Sequence, residues 1–385
     1  MGPRMRQPDV QLNDIDAAKL TPIVRQALDN PAAIVTDWET ERLSGGIGVG
    51  TAVYRISGQA QHGDQTISWS LILKVQLPVP GHDEPSDWAY WKREIEAYRS
   101  GWLDDLPGGI AAPRCYGVEE RPDGSYWLWL KEVKDDIGPK WPLEHYGVAA
   151  RHLGQFNGAY LTGEPIPTYP WLSRDWLRQL QEPAGPSIEQ LLNAQHLPLV
   201  RRFLSEGIGE RIAQLWAHRH YFYSLLDHLP QTICHYDATR RNLLAQRMPD
   251  GSYQTTLIDW SFVGYGPIGA DLALLVKGTI SLLSVEISKA QELRQIAFEG
   301  YLEGLRDAGW QGDPRLVELS YKTFPGHALA GVGVVKTFAE GKLPWDVRES
   351  HGCSVEELIE YWHNAWVALS TTPEEIRELA ESLGL

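Results

Sequence analysis

The chain is poor in sulfur, with three cysteines and three methionines in 385 residues. Cys115, Cys234 and Cys353 stand far apart and odd in number, which excludes a disulfide framework and a CxxC metal site and leaves each expected as a small buried hydrophobe. No apolar stretch approaches the roughly eighteen residues of a membrane-spanning helix, and the opening "MGPRMRQPDVQLND" lacks the apolar centre of a secretory signal. The expected location is therefore cytoplasmic, with no membrane partner. Positive charge is scarce. With 35 Lys and Arg against 50 Asp and Glu, the net charge of -15 disfavours nucleic acid as the main partner. Missing too are internal repeats, low-complexity tracts and any G-x-x-x-x-G-K-[ST] phosphate loop, which argues against the main alternative class of nucleotide enzymes.

What is present supports sizeable cores: 43% apolar residues and 10% aromatics in a chain long enough for two domains or one domain of two lobes. After a helix-like "DIDAAKLTPIVRQALDN", residues 34–76 read as three strands, "IVTDWETERLS", "TAVYRISGQA" and "TISWSLILKVQ", with glycine-rich or polar breaks between them. A meandering antiparallel sheet follows from that order. A helical "SDWAYWKREIEAYRSGWL" comes next, then the strands "RCYGVEE" and "YWLWLKEV" around the turn "RPDGS". From about residue 142 helices dominate, broken by a strand pair near 243–259. The polar, proline-containing "VKDDIGPKWP" marks the boundary after Val133. The pattern predicts an α+β protein. Residues 1–133 form a smaller lobe with an N-terminal helix and a five-stranded sheet carrying one helix, and residues 134–385 form a larger, mainly helical lobe.

Chemistry concentrates at "HYDATRRN", residues 235–242. The following "LLAQRMPDGSYQTTLIDW" is two apolar runs around a Pro-Asp-Gly turn, a hairpin that returns the chain to its start. Strands about 5 Å apart would set Asn242, before the first strand, beside Asp259, after the second. A carboxylate and an amide oxygen so placed suit Mg2+, a hard cation that keeps positions for water and phosphates. Asp237 would then face whatever the metal holds. One aspartate to orient and deprotonate an attacking hydroxyl, with two side chains holding magnesium on a nucleotide, is a phosphoryl-transfer site. Upstream, Lys74 in "LILKVQ" is a lone lysine on an apolar strand, unfavourable there unless its amine reaches a partner. Glu94 in "KREIEAYR", on the next helical segment, is its natural partner.

Together "LILK", "REIEAYR", "HYDATRRN" and "IDW", in this order, resemble the protein-kinase-like fold and more closely its small-molecule branch, the aminoglycoside phosphotransferase and choline kinase superfamily. The resemblance spans roughly residues 40–310. It implies Asp237 as the catalytic aspartate, Asn242 and Asp259 as magnesium ligands, Lys74 as the phosphate-binding lysine and Glu94 as its ion-pair partner. Glu132 and Val133 become the adenine-contacting connector. The implied activity is transfer of the γ-phosphate of ATP or GTP to a hydroxyl of a small molecule, and the nucleotide and metal would lie between the lobes. Aminoglycosides, amino alcohols and sugars are the acceptor classes the family offers, and the acidic balance leans toward a cationic one.

Some positions depart from the family pattern. The commonest loop has glycine at Tyr236 and often histidine at Thr239. Arg241, four places after Asp237, is similar to the arginine of tyrosine-kinase loops that serves substrate and transferred phosphate, and is also compatible with a plain surface arginine. "LSGGIGVGTAVY" occupies the place of a nucleotide-covering loop, with Gly46 and Gly48 as its backbone approach points, but lacks regular G-x-G-x-x-G spacing. His235 is expected to support the loop backbone, and Asp271 in "GADLA" to cap its helix and brace the catalytic loop. The helix "SVEELIEYWHNAWVAL" sets Val355, Leu358, Ile359, Trp362, Trp366 and Leu369 on one face and Glu356 and Glu360 on a solvated one. Two rival readings remain open: a catalytically silent nucleotide-binding module, which has no need of Asp237, and a protein kinase, which would need a longer loop after "IDW" and an "APE"-like segment.

Overall fold

The computed structural model describes residues 12, 14–43, 50–324, 332–342 and 352–385. The chain divides into two compact units. One takes in the chain to Pro85, Ala89–Leu106 and Ala111–Lys134, and the other Ser86–Trp88, Pro107–Ile110 and Asp135–Leu385.

In the first unit α1 (Ala17–Ala27) starts where Asp16 accepts the Lys19 amide at 2.8 Å, and buries Leu20 and Val24. An antiparallel sheet follows in the order β1-β2-β3-β6-β5, from β1 (Ile34–Arg42), β2 (Thr51–His62), β3 (Gln65–Gln76), β5 (Cys115–Glu120) and β6 (Tyr126–Lys131). The two-residue strand β4 (Ile110–Ala111) precedes β5. The β1–β2 register shifts between Val35 and Asp37. Opposite that bulge sits Gly58, where a Cβ would fall 2.1 Å from the Asp37 carbonyl oxygen, so only glycine allows the strands to close there. Alternation along β3 sorts its side chains: Leu71, Leu73 and Val75 join the core with Ile56, Trp127 and Trp129, while Lys74 and Gln76 share the opposite face.

The expected helix over 86–103 is shorter in the structure. Only α2 (Arg93–Arg99) and a turn at Trp102–Asp104 are helical. Upstream, backbone and side-chain donors are committed to a loop instead: Trp91 N donates to the His82 carbonyl at 3.3 Å and its indole to Asp83 at 2.8 Å. The cysteine expectation holds only for Cys234; Cys115 and Cys353 are partly exposed.

The second unit is built on α3 (Leu143–Thr162) crossed closely by the helix Ala290–Asp307. Glycine makes the approach possible, since a Cβ at Gly304 would lie 1.9 Å from the Arg151 carbonyl oxygen. β7 (Gln231–Cys234) pairs antiparallel with β10 (Gly264–Pro267), a pairing the sequence pattern did not announce. The expected hairpin is β8 (Leu243–Arg247) and β9 (Tyr253–Leu257). A separate helical core gathers Ile188, Leu191, Phe203 and Ile212 with Phe338, Leu358 and Ile359. On the helix Val355–Leu369, Leu358 and Ile359 are buried, Trp362 and Trp366 are half-buried against that core, and Glu356 and Glu360 are exposed as expected. In the same unit Trp88 N donates to Gln179 Oε1 at 2.7 Å and its ring stacks on Phe262 at 5.8 Å. Among the described residues no helix is long and apolar enough to cross a membrane.

Candidate active site

The segment from His235 to Asn242 is suspended from its surroundings by buried polar contacts. β7 ends at Cys234, and the next two amides, of His235 and Tyr236, each donate to one Asp271 carboxylate oxygen at 3.0 Å. Asp271 is fully buried and also accepts from Asn157 Nδ2 at 3.1 Å. Burial pushes its carboxyl pKa up, against the pull of His235, the two amides and Asn157. The helix-capping role expected of Asp271 is not realised: the N-cap is Gly269, at φ +87°, and Asp271 lies one place inside the helix. Its carboxylate is turned to the loop instead. Asn157 extends the brace, donating to the Ile233 carbonyl at 2.7 Å and accepting from the Tyr301 hydroxyl at 2.7 Å.

His235 supports the loop as expected. Its Nδ1 accepts the Asp237 amide at 3.2 Å, and its ring sits edge-on to Trp260 at 4.7 Å. Burial lowers its pKa, against Asp271, Asp237, Asp259 and the Ile258 carbonyl, which favours the neutral ring that the Nδ1 acceptor requires. Tyr236, where glycine is commoner in the resembling family, points into the core. Its ring stacks on Trp176 at 4.7 Å and its hydroxyl donates to the Tyr265 carbonyl at 2.6 Å. A φ of +62° at this tyrosine is a strained backbone.

Asp237 is half-buried. Asn242 Nδ2 donates to Asp237 Oδ2 at 2.8 Å and to the Asp237 carbonyl at 3.0 Å, so the motif spacing does bring these two side chains together. The hairpin returns as expected. Leu243 pairs with Leu257, and the Ile258 amide donates to the Asn242 carbonyl at 3.0 Å, which brings Asp259 next in line beside Asn242. Asp259 has φ +64°, a second strained non-glycine, and its Oδ1 accepts the Ser261 hydroxyl at 2.6 Å. Arg241 is exposed. Its neighbour Arg240, which sequence reasoning passed over, is buried: it pairs with Asp135 at 2.6 Å, donates to the Gly138 and Leu243 carbonyls, and lies 4.0 Å over the Trp141 ring.

The donor set fits magnesium chemically. Asn242 spends its amide N–H on Asp237, which leaves the amide oxygen as a hard donor, and the backbone bond from Ile258 to Asn242 puts Asp259 next along the chain. Among the described residues no group of three or more His, Cys, Asp and Glu could enclose a metal. Asn242 and Asp259 would hold such a cation by two oxygens, with its remaining positions filled by water and phosphate. When bound there, magnesium supplies charge neutralisation for phosphate oxygens.

In the first unit Lys74 Nζ and Glu94 Oε2 stand 2.5 Å apart, both buried, across the 20 positions the sequence put between them. Glu132 follows β6 and accepts from Arg55 Nε at 2.7 Å. Burial pushes its pKa up, but Ser70 and Arg55 outweigh it and hold the carboxyl below its usual range. Val133, next to it, is half-buried. Gly46 and Gly48 lie outside the described residues.

The fold is that of a kinase-like α+β protein. Residues 63–311 match the model of a family described as the phosphotransferase enzyme family, and the chain belongs to that family. Among solved structures it is similar to the amicoumacin kinase hAmiN in complex with AMP-PNP, Ca2+ and Ami, at 12% identity and a TM-score of 0.52, over 94% of this chain and 98% of that one. It is also similar to a choline kinase from Cryptosporidium parvum Iowa II, at 11% identity and a TM-score of 0.51, over 96% and 97% of the two chains. At that identity the likeness establishes the fold. No curated protein sequence matches significantly.

Proposed function

We propose that this protein is a cytoplasmic kinase that transfers the γ-phosphate of ATP or GTP, with Mg2+, to a hydroxyl group of a small molecule. The observation that carries the reading is the bond from Asn242 Nδ2 to Asp237 Oδ2, on a loop hung from a buried carboxylate. Asn242 holds one oxygen of Asp237, and the other oxygen receives the proton of the acceptor hydroxyl as the oxygen–phosphorus bond forms. The bond to the leaving nucleoside diphosphate breaks in the same step. Lys74, held by Glu94, anchors the phosphates, while Asn242 and Asp259 hold the metal. Arg241, exposed on the same turn, serves the acceptor or the transferred phosphate, and Glu132 and Val133 border the purine. Loose, largely dissociative transfer depends on positioning and charge neutralisation, so a few polar groups suffice.

The acceptor is sought among aminoglycosides, amino alcohols and sugars, with cationic compounds first because the chain carries a net charge of -15. The test is acceptor-dependent consumption of ATP and GTP, parent against Asp237→Asn. Loss of the general base is expected to lower turnover about a hundredfold or more while leaving nucleotide affinity unchanged. A variant that keeps turnover within a few-fold of the parent would sink the mechanism. A parent that binds nucleotide but shows no acceptor-dependent turnover would instead mark a silent binding module.

A further inference from the structure

Glu94 has a second partner that lies outside the motifs. Gln76 Nε2 donates to Glu94 Oε2 at 2.7 Å, onto the same oxygen that meets Lys74 Nζ at 2.5 Å. Gln76 is 3% exposed and Glu94 1%, so this contact is made out of water. Lys74 and Gln76 are alternate residues of β3 and therefore share a face. β3 is an inner strand of its sheet, with Gln76 paired to Thr51 on one side and Tyr126 on the other. Its two donors are thus fixed relative to one another by the strand itself, and the Glu94 carboxylate, arriving from α2, is held by both.

The chemistry of the second donor matters. A buried carboxylate needs more than one hydrogen bond to offset its desolvation. A second cation at position 76 would divide the Glu94 charge between two ammonium groups, and an apolar side chain would remove one donor from the carboxylate, drawing Lys74 Nζ toward Glu94. A neutral amide fixes the carboxylate without competing for its charge.

We propose that Gln76 is a positioning residue for the nucleotide phosphates: it sets the Glu94 carboxylate, which in turn sets the Lys74 ammonium. The inference rests on the reading of Lys74 as the phosphate anchor. It carries a testable signature, because a residue that acts only through Lys74 has no effect on nucleotide once Lys74 is gone.

The experiment measures the dissociation constant of magnesium ATP by calorimetry for the full chain and for Gln76→Met, Lys74→Met and the double variant, with thermal unfolding of each. Gln76→Met is expected to weaken nucleotide about tenfold, the scale of one lost hydrogen bond to a charged group. In the Lys74→Met background the same change is expected to move the constant less than about twofold. Gln76→Asn keeps the amide but shortens its reach, and is expected to behave like Gln76→Met; it also serves should the methionine variant fold poorly. Unchanged affinity in both position-76 variants would overturn the proposal. So would a loss that persists undiminished without Lys74, since that marks a general structural role. Failure of the kinase reading appears separately, as a parent chain that binds no nucleotide.

Discussion

Asp271 Oδ2 accepts the backbone N–H of His235 at 3.0 Å across 36 residues of sequence, while its Oδ1 takes the N–H of Tyr236. One carboxylate thus fixes both peptide groups that lead into Asp237. Replacing it with alanine strands two buried amides and one donor of Asn157. Buried donors left unmade cost about 1–3 kcal/mol each, so Asp271→Ala is expected to lose several kcal/mol of stability, and Asp271→Asn, which keeps one acceptor, about half as much. Chemical denaturation checks this. A midpoint unchanged in the alanine variant would mean that the loop is held by other contacts.

The adjacent arginines are expected to separate cleanly. Arg240 is buried against Asp135, and Arg240→Met would leave that carboxylate uncompensated, at a cost of about 3–5 kcal/mol. Adding Asp135→Leu should recover part of the loss, because a buried pair replaced as a whole is often near neutral. Arg241 is exposed, and Arg241→Met is expected to stay within about 0.5 kcal/mol of the parent. Any effect of Arg241→Met should fall on turnover, as its proposed role requires. Equal destabilisation by the two changes would contradict the assignment of structural and functional roles to these neighbours.

Local pattern and short-range turn chemistry made much of this molecule legible in its sequence. The apolar run "LILKVQ" marked Lys74 as a lysine in need of a buried partner, and the five-residue spacing of Asp237 and Asn242 proved to be a direct hydrogen bond. What the sequence hid depended on long-range or backbone facts. Period-two reading also places Gln76 beside Lys74, but its value emerges only once α2 brings Glu94 to both. The helix expected over 86–103 shrank as the amides of Trp88 and Trp91 and the Trp91 indole found loop and side-chain acceptors, which periodicity does not encode. Tyr236 looked like an unexplained substitution for glycine until its positive φ turned the ring into the Trp176 stack. Asp271 read as a helix cap because the left-handed Gly269 that ends the preceding chain is recognisable only from its dihedral angle.

Stability should fall on mild acidification, and His152 accounts for a definable share. Burial, then the nearby His145 and Arg151, lower its pKa from 6.5 to about 4, and its Nδ1 lies 2.8 Å from the Thr255 hydroxyl. A folded pKa below the unfolded one means that the unfolded chain binds the proton first. The contribution is therefore complete above pH 6.5 and is lost progressively as pH falls toward 4. His152→Gln is expected to remove up to about 3 kcal/mol of that dependence. His145 and His235 shift in the same direction, so a weaker slope should remain in the variant. Denaturation midpoints at neutral pH and near pH 5 give the comparison, and an identical slope in parent and variant would exclude His152 as a source.

The metal assignment rests on Asp259 standing next to Asn242 across the end of the β8–β9 hairpin. Asp259 holds φ +64°, a conformation that asparagine tolerates and alanine resists, so Asp259→Asn is the cleaner variant. It keeps the shape and the Ser261 contact in reach while removing the charge that draws a divalent cation. Calorimetric titration of nucleotide with and without magnesium should show a strong metal dependence in the parent that falls at least about tenfold in the variant, the scale of one charged ligand lost. Metal-free nucleotide affinity should hardly change, because Lys74, the proposed phosphate anchor, belongs to a different unit of the chain. Thermal unfolding of the variant near that of the parent would show that the loop, and not the fold, has been altered. If the ratio of affinities with and without magnesium is the same in both proteins, Asp259 is not a ligand, and Asn242 would have to share the cation with a different carboxylate.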